Sequence, residues 1–115
     1  MTVTIYHNPR CSKSRQTLAL LEERGIAPAV VEYLKTPPPK AELKALAAKL
    51  GLESVREMMR VKEAPYTELD LANVTAETAL IDAMEAHPVL IERPIVVNGD
   101  KAAIGRPPEA VLAIL

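Results

Sequence analysis

TIYHNPRCSKSRQTLALLEE, Thr4 to Glu23, decides how this chain folds. Val3 and Ile5 alternate with threonines and Tyr6 adds β-propensity, so residues 2–6 read as a buried strand. A polar turn, His7-Asn8-Pro9-Arg10, leads to Cys11, and a helical pattern starts at once. From Ser12 to Arg24, Leu18, Leu20 and Leu21 with Thr17 lie on one helix face, and Gly25 stands where a helix C-terminal glycine belongs. After Pro28, Ala29 to Leu34 reads as a second strand. Strand, helix and strand make a βαβ unit with a parallel crossover.

Beyond this unit, Thr36-Pro37-Pro38-Pro39 halts the pattern and prepares a helix start. Ala41 to Leu50 is amphipathic through Leu43, Leu46, Ala47 and Leu50, and Gly51 ends it. Ser54 caps a shorter helix through Arg60, residues 61–73 read as an irregular connection around Pro65, and Thr75 to Ala86 is helical again. Ile95-Val96-Val97 then reads as a strand, Asn98-Gly99-Asp100 as a hairpin turn, and Lys101 to Ile104 as the return strand. Gly105 closes it, and Pro107-Pro108-Glu109 opens a final helix. The order βαβ, helices, ββα predicts one α/β domain over residues 1–115. Its fold is thioredoxin-like, a mixed four-stranded sheet with a helical insertion.

Composition narrows the functions available. The chain has 115 residues, 49% hydrophobic and 25% charged, with three Tyr and neither Phe nor Trp, so its core is aliphatic and it lacks stacking platforms for nucleic acid. A net charge of −1 gives no general attraction to nucleic acid or to acidic membranes. One cysteine excludes an internal disulfide and a multi-cysteine metal site. With only His7 and His87 besides, no metal site is expected. The N-terminus lacks a secretory pattern and no apolar run approaches the roughly 20 residues of a membrane span, so a cytoplasmic location is expected.

A thiol between a strand end and a helix N-terminus sits where amide N–H groups and the helix dipole favour negative charge. Arg10, Lys13 and Arg15 add cations, so Cys11 is expected to react as a thiolate nucleophile. Its polar neighbours are a poor setting for a packed core thiol. The local pattern is C-x-x-S, so any disulfide intermediate needs an external resolving thiol. A C-x5-R phosphate loop is absent because position 17 is Thr.

Arg60 ends a helix, whereas Arg93 and Arg106 each precede a proline, which restricts them to extended geometry. Brought to Cys11, the three would cage a tetrahedral oxyanion, for which a planar guanidinium suits better than an ammonium. Pro94 is a candidate cis proline. His7 either holds the turn or tunes Cys11 and passes a proton. Asn8 and Ser14 either cap the helix or touch the thiolate and its adduct. His87, before Pro88, reads as a helix C-terminal group.

These residues together resemble the glutaredoxin-coupled arsenate reductase family in its short form. The matching segments are TIYHNPRCSKSRQTL at 4–18, YLKTPPP at 33–39, LIDAMEAHPVLIERPIVV at 80–97 and GRPPEAVLAIL at 105–115. The resemblance implies a thioredoxin-like enzyme in which the Cys11 thiolate forms a covalent adduct with arsenate. Glutathione as co-substrate and glutaredoxin as partner then release arsenite, and no bound cofactor is involved. It places the family's oxyanion-binding arginines on Arg60, Arg93 and Arg106, its residues near the cysteine on His7 and Ser14, and its cis proline on Pro94. Two other readings stand beside it. One is a thiol reductase of another oxyanion or of glutathionylated protein. The other is an Spx-like regulator that binds RNA polymerase, although such proteins commonly carry C-x-x-C and this chain has Ser14.

Overall fold

A computed structural model of the protein describes residues 2–115. The chain divides into two compact units, one made of the residues up to Thr36 together with Arg93–Leu115, the other of Pro37–Glu92.

The first unit is built on β1 (Val3–Tyr6), α1 (Ser12–Glu23), β2 (Ala29–Val31), β3 (Ile95–Asn98) and β4 (Lys101–Ile104), in a mixed sheet of order β2-β1-β3-β4. β1 runs parallel to β2, with Ile5 opposite Val30, and antiparallel to β3, with Ile5 opposite Val96. β3 and β4 form the hairpin, with Asn98 opposite Lys101. Gly99 takes φ +66, the left-handed conformation this tight turn requires. Val3 and Ile5, two residues apart, send their side chains to the same face of the sheet. There they pack with Leu21 of α1, Val96 and Val111. Burying an aliphatic side chain of this size is worth about 1.5–3 kcal/mol, so this cluster anchors α1 to the sheet. Central β3 is buried at Ile95, Val96 and Val97 in succession, which explains its unbroken apolar run.

Two expectations need correction here. β2 stops at Val31, short of Leu34, because its partner strand ends at Tyr6, opposite Val31. His7 N–H donates the last ladder bond to Val31 O, and the chain then turns, with the Lys35 and Thr36 amides both donating to Glu32 O. The C-terminal segment, Pro108–Ile114, is 3-10 helical rather than α-helical. A repeat of about three residues per turn aligns positions 108, 111 and 114. Pro108 and Val111 are accordingly buried, and Ile114 packs on the core cluster.

The second unit is helical: α2 (Lys40–Leu50), a 3-10 turn at Val55–Met58, α3 (Ala64–Glu68), and α4 (Glu77–Ala86), with further 3-10 turns at Leu71–Asn73 and Pro88–Leu90. Leu43, Leu46 and Ala47 of α2 and Leu80, Ile81 and Met84 of α4 are buried, the stripes their spacing predicts. Gly51 ends α2 at φ +70. The segment after Ser54 is a 3-10 turn rather than a helix through Arg60, yet Ser54 caps it in a reciprocal box with Glu57. Residues 61–73 hold more order than expected, since Pro65 falls in the first turn of α3, where proline is tolerated. Arg56 fastens this region by donating to Tyr66 Oη, Leu71 O and Val74 O. Glu77 accepts from Ser54 Oγ at 2.7 Å and from Val55 N–H at 2.8 Å.

Candidate active site

β1 delivers the chain into the His7–Arg10 loop, and Cys11 is the N-cap residue of α1. Its N–H donates to Asn8 O at 3.0 Å and its carbonyl accepts from Arg15 N–H at 3.0 Å, so the turn fixes its backbone. Its side chain makes no capping bond. The amides of the first turn therefore stay available to an anion beside the sulfur. Cys11 is 9% exposed, more buried than its polar neighbours imply. Its sulfur nevertheless meets a guanidinium: Arg106 Nη2 lies 3.6 Å from Cys11 Sγ.

Ser14 is fully buried and serves the loop rather than its own helix. Its Oγ shares a 2.6 Å hydrogen bond with His7 Nδ1 and accepts from Asn8 N–H at 3.0 Å. Asn8 Oδ1 in turn accepts from Arg10 N–H at 3.0 Å, and Arg15 Nη1 donates to Pro9 O at 2.9 Å. These bonds fix the path of the loop that carries Cys11. Asn8 and Ser14 thus hold the loop, a role the capping reading did not foresee. Burial lowers the His7 pKa below its ordinary value of 6.5, with Glu32 opposing the shift and Arg15 adding to it, so the imidazole is held neutral.

Arg93–Pro94 is cis, and Arg106–Pro107 is cis as well, which sequence reasoning missed. The two Arg-Pro segments are joined: Gly105 N–H donates to Pro94 O at 2.9 Å, and Arg106 Nε donates to Arg93 O at 2.8 Å. Gly105 is the residue that lets them meet. A Cβ there would lie 2.6 Å from Thr17 Oγ1 and 2.8 Å from Pro94 Cγ. Thr17 is fully buried, its hydroxyl donating to Lys13 O at 2.8 Å, so it braces α1 against this junction. A glycine directly before Arg-Pro, in Gly105-Arg106-Pro107, was the signal available in the sequence. Arg93 is half-buried, with Nε and Nη1 sequestered from solvent. Arg60 belongs to the second unit, where Nη1 pairs with Glu63 Oε1 at 2.6 Å and Nε lies 3.9 Å from Glu92 Oε1. The structure therefore gathers Cys11, Arg106, Arg93 and Pro94 through the Gly105 junction, and His7, Asn8 and Ser14 in the loop that presents the thiol.

Among the described residues, no group of three or more His, Cys, Asp and Glu could hold a metal ion, and no helix is long and apolar enough to cross a membrane.

The fold and this arrangement define a class: thioredoxin-like α/β proteins with one thiol at the N-cap of the first helix and a guanidinium on its sulfur. Within that class the chain belongs to the ArsC family, which it matches over residues 6–114. It is 56% identical to an arsenate reductase of Haemophilus influenzae, with all of both chains covered. It is 59% identical to the uncharacterized protein YfgD of Escherichia coli K12, over 98% of this chain and 97% of that one. Among solved structures, an arsenate reductase from Vibrio cholerae superposes with a TM-score of 0.97 at 59% identity, covering 100% of this chain and 98% of the other.

Proposed function

We propose that this protein is an arsenate reductase in which Cys11 is the nucleophile, glutathione the co-substrate and glutaredoxin the partner that restores the thiol. The observation that carries the reading is the Arg106 guanidinium 3.6 Å from Cys11 Sγ, beside the uncapped first turn of α1. That pairing sets a guanidinium beside the nucleophilic sulfur and offers charged donors to an oxyanion at the same point. The activity named for the Haemophilus influenzae and Vibrio cholerae relatives supports arsenate as that oxyanion.

In the proposed reaction, arsenate oxygens accept from Arg106, Arg93 and the first-turn amides while Cys11 Sγ attacks arsenic. One oxygen leaves as water and a Cys11–arsenic(V) adduct remains. Reduction to arsenic(III) takes two electrons, supplied by two thiols that end as one disulfide. Cys11 is the first thiol and glutathione the second, because C-x-x-S provides no internal partner. Glutaredoxin then returns Cys11 to the thiol by exchange. The family resemblance is the ground for counting Arg60 among the oxyanion-binding arginines. The chemistry needs a reduced thiol, which fits a reducing, cytoplasmic setting.

The test couples purified protein, glutathione and glutaredoxin to NADPH oxidation through glutathione reductase. Arsenate-dependent oxidation that Cys11→Ser abolishes is expected. A rate no greater than the glutaredoxin-only control would overturn the proposal.

A further inference from the structure

A second feature of the same loop points to where the external thiol binds. A pocket of about 250 Å³ lies in the first unit, lined by His7, Asn8, Pro9, Arg10, Glu32, Leu34 and Lys35. One wall is the loop that leads to Cys11, and its last lining residue, Arg10, directly precedes the nucleophile in the chain. Its other wall is the turn after β2, where the chain bends away because β1 offers no further partner. His7 closes it with a buried, neutral ring.

The lining has a distinct charge pattern. Arg10 is exposed, and among the described residues its guanidinium meets no acceptor, whereas Arg15 nearby is committed to Pro9 O. Lys35 adds a second cation and Glu32 a carboxylate. They lie 3.5 Å apart, in a pair exposed enough for a ligand to compete for either partner. Pro9 and Leu34, the latter 45% exposed, supply apolar surface between the charges.

We infer that this pocket binds the co-substrate, a small peptide thiol carrying two carboxylates and one ammonium, the charge pattern of glutathione. Arg10 and Lys35 receive the carboxylates, Glu32 the ammonium, and Leu34 and Pro9 the methylene groups between them. The volume falls just below the usual range of ligand pockets, so it receives the charged ends of a small peptide while the thiol extends along the loop toward Cys11. The inference rests on the proposed function for its choice of thiol, while the charge pattern stands without it.

Two measurements test it. S-methylglutathione, which cannot react, is titrated into the full-length Cys11→Ser protein and followed by amide chemical shifts. Saturable shifts confined to residues 7–10 and 32–35, and weakened by adding Lys35→Glu, are expected. In the coupled assay, Lys35→Glu and Glu32→Gln should each raise the KM for glutathione about two- to fivefold, as exposed charge pairs allow. The KM for arsenate should hold. With 2-mercaptoethanol, which has no carboxylate, Lys35→Glu should change nothing, and Lys101→Glu on β4 should leave every constant in place. Normal arsenate turnover with an unmoved glutathione KM, or shifts that fall elsewhere, overturns the pocket assignment. Pocket shifts sensitive to Lys35→Glu but no arsenate turnover at all would uphold the pocket and overturn the arsenate reading instead.

Discussion

Arg106 and Cys11, 95 residues apart in sequence, meet where Nη2 lies 3.6 Å from Sγ. The guanidinium is aimed by its own Nε, which donates to Arg93 O at 2.8 Å. One side chain therefore serves the sulfur and ties the two Arg-Pro segments together. Arg106→Ala removes both bonds. A charge-assisted hydrogen bond is worth about 1.5–3 kcal/mol, so arsenate KM should rise roughly ten- to a hundredfold. Arg106→Lys should not restore it, because an ammonium cannot span both acceptors in the fixed fork of a guanidinium. Steady-state kinetics on the two variants checks this, and unchanged arsenate saturation in both would remove Arg106 from the site.

Ser14→Ala should cost stability. Ser14 Oγ is the partner of His7 Nδ1 and Asn8 N–H in a buried setting, and alanine leaves both groups without it. An unsatisfied buried polar group costs about 1–3 kcal/mol, which urea unfolding would register as a lowered midpoint at constant slope. A midpoint equal to that of the parent would refute the loop-holding role.

His7 makes stability depend on pH. Burial depresses its folded pKa below 6.5, so the unfolded chain binds the proton more readily. The contribution is complete above the unfolded value and is lost as pH falls through the folded one. Unfolding free energy measured between pH 7.5 and 5, on the order of two units around the unperturbed histidine value, should decline on acidification. His7→Gln should flatten the dependence over that window. A wild-type profile that is itself flat would contradict it.

Gly105→Ala should strain the junction that places Arg106. The added Cβ meets Thr17 Oγ1 at 2.6 Å and Pro94 Cγ at 2.8 Å, and neither belongs to a flexible chain end. Overpacking of this kind costs about 1–3 kcal/mol. Adding Thr17→Ala removes one of the two clashing groups, so the double variant should recover part of the loss. Additive penalties in a double-mutant cycle would place the strain elsewhere.

Much of this architecture is readable from local pattern. The switch from a two-residue to a 3.6-residue period at Cys11 marks the strand-to-helix turn, and Asn98-Gly99 marks the hairpin. Gly25 and Gly51 mark the helix ends, and both have the positive φ that such ends favour. Each is a short-range signal, set by side-chain periodicity or by which residues tolerate φ above zero. Where an element's extent depends on a partner, local reading fails. β2 ends with the strand it pairs with, and the last segment winds as a 3-10 helix because three-residue spacing puts Pro108, Val111 and Ile114 on the core.

Residue order alone tells that there is one thiol, that it opens a helix, and that no second thiol stands beside it to resolve a disulfide. Three candidate arginines were visible, but not what any of them touches. That Arg106 reaches the sulfur, that Ser14 turns back to His7 and Asn8, and that Gly105 must be small emerge from the folded chain alone. The reason is geometric. Those facts depend on distances between segments far apart in the chain, set by packing of the sheet, α1 and the two Arg-Pro turns, and no local pattern encodes them.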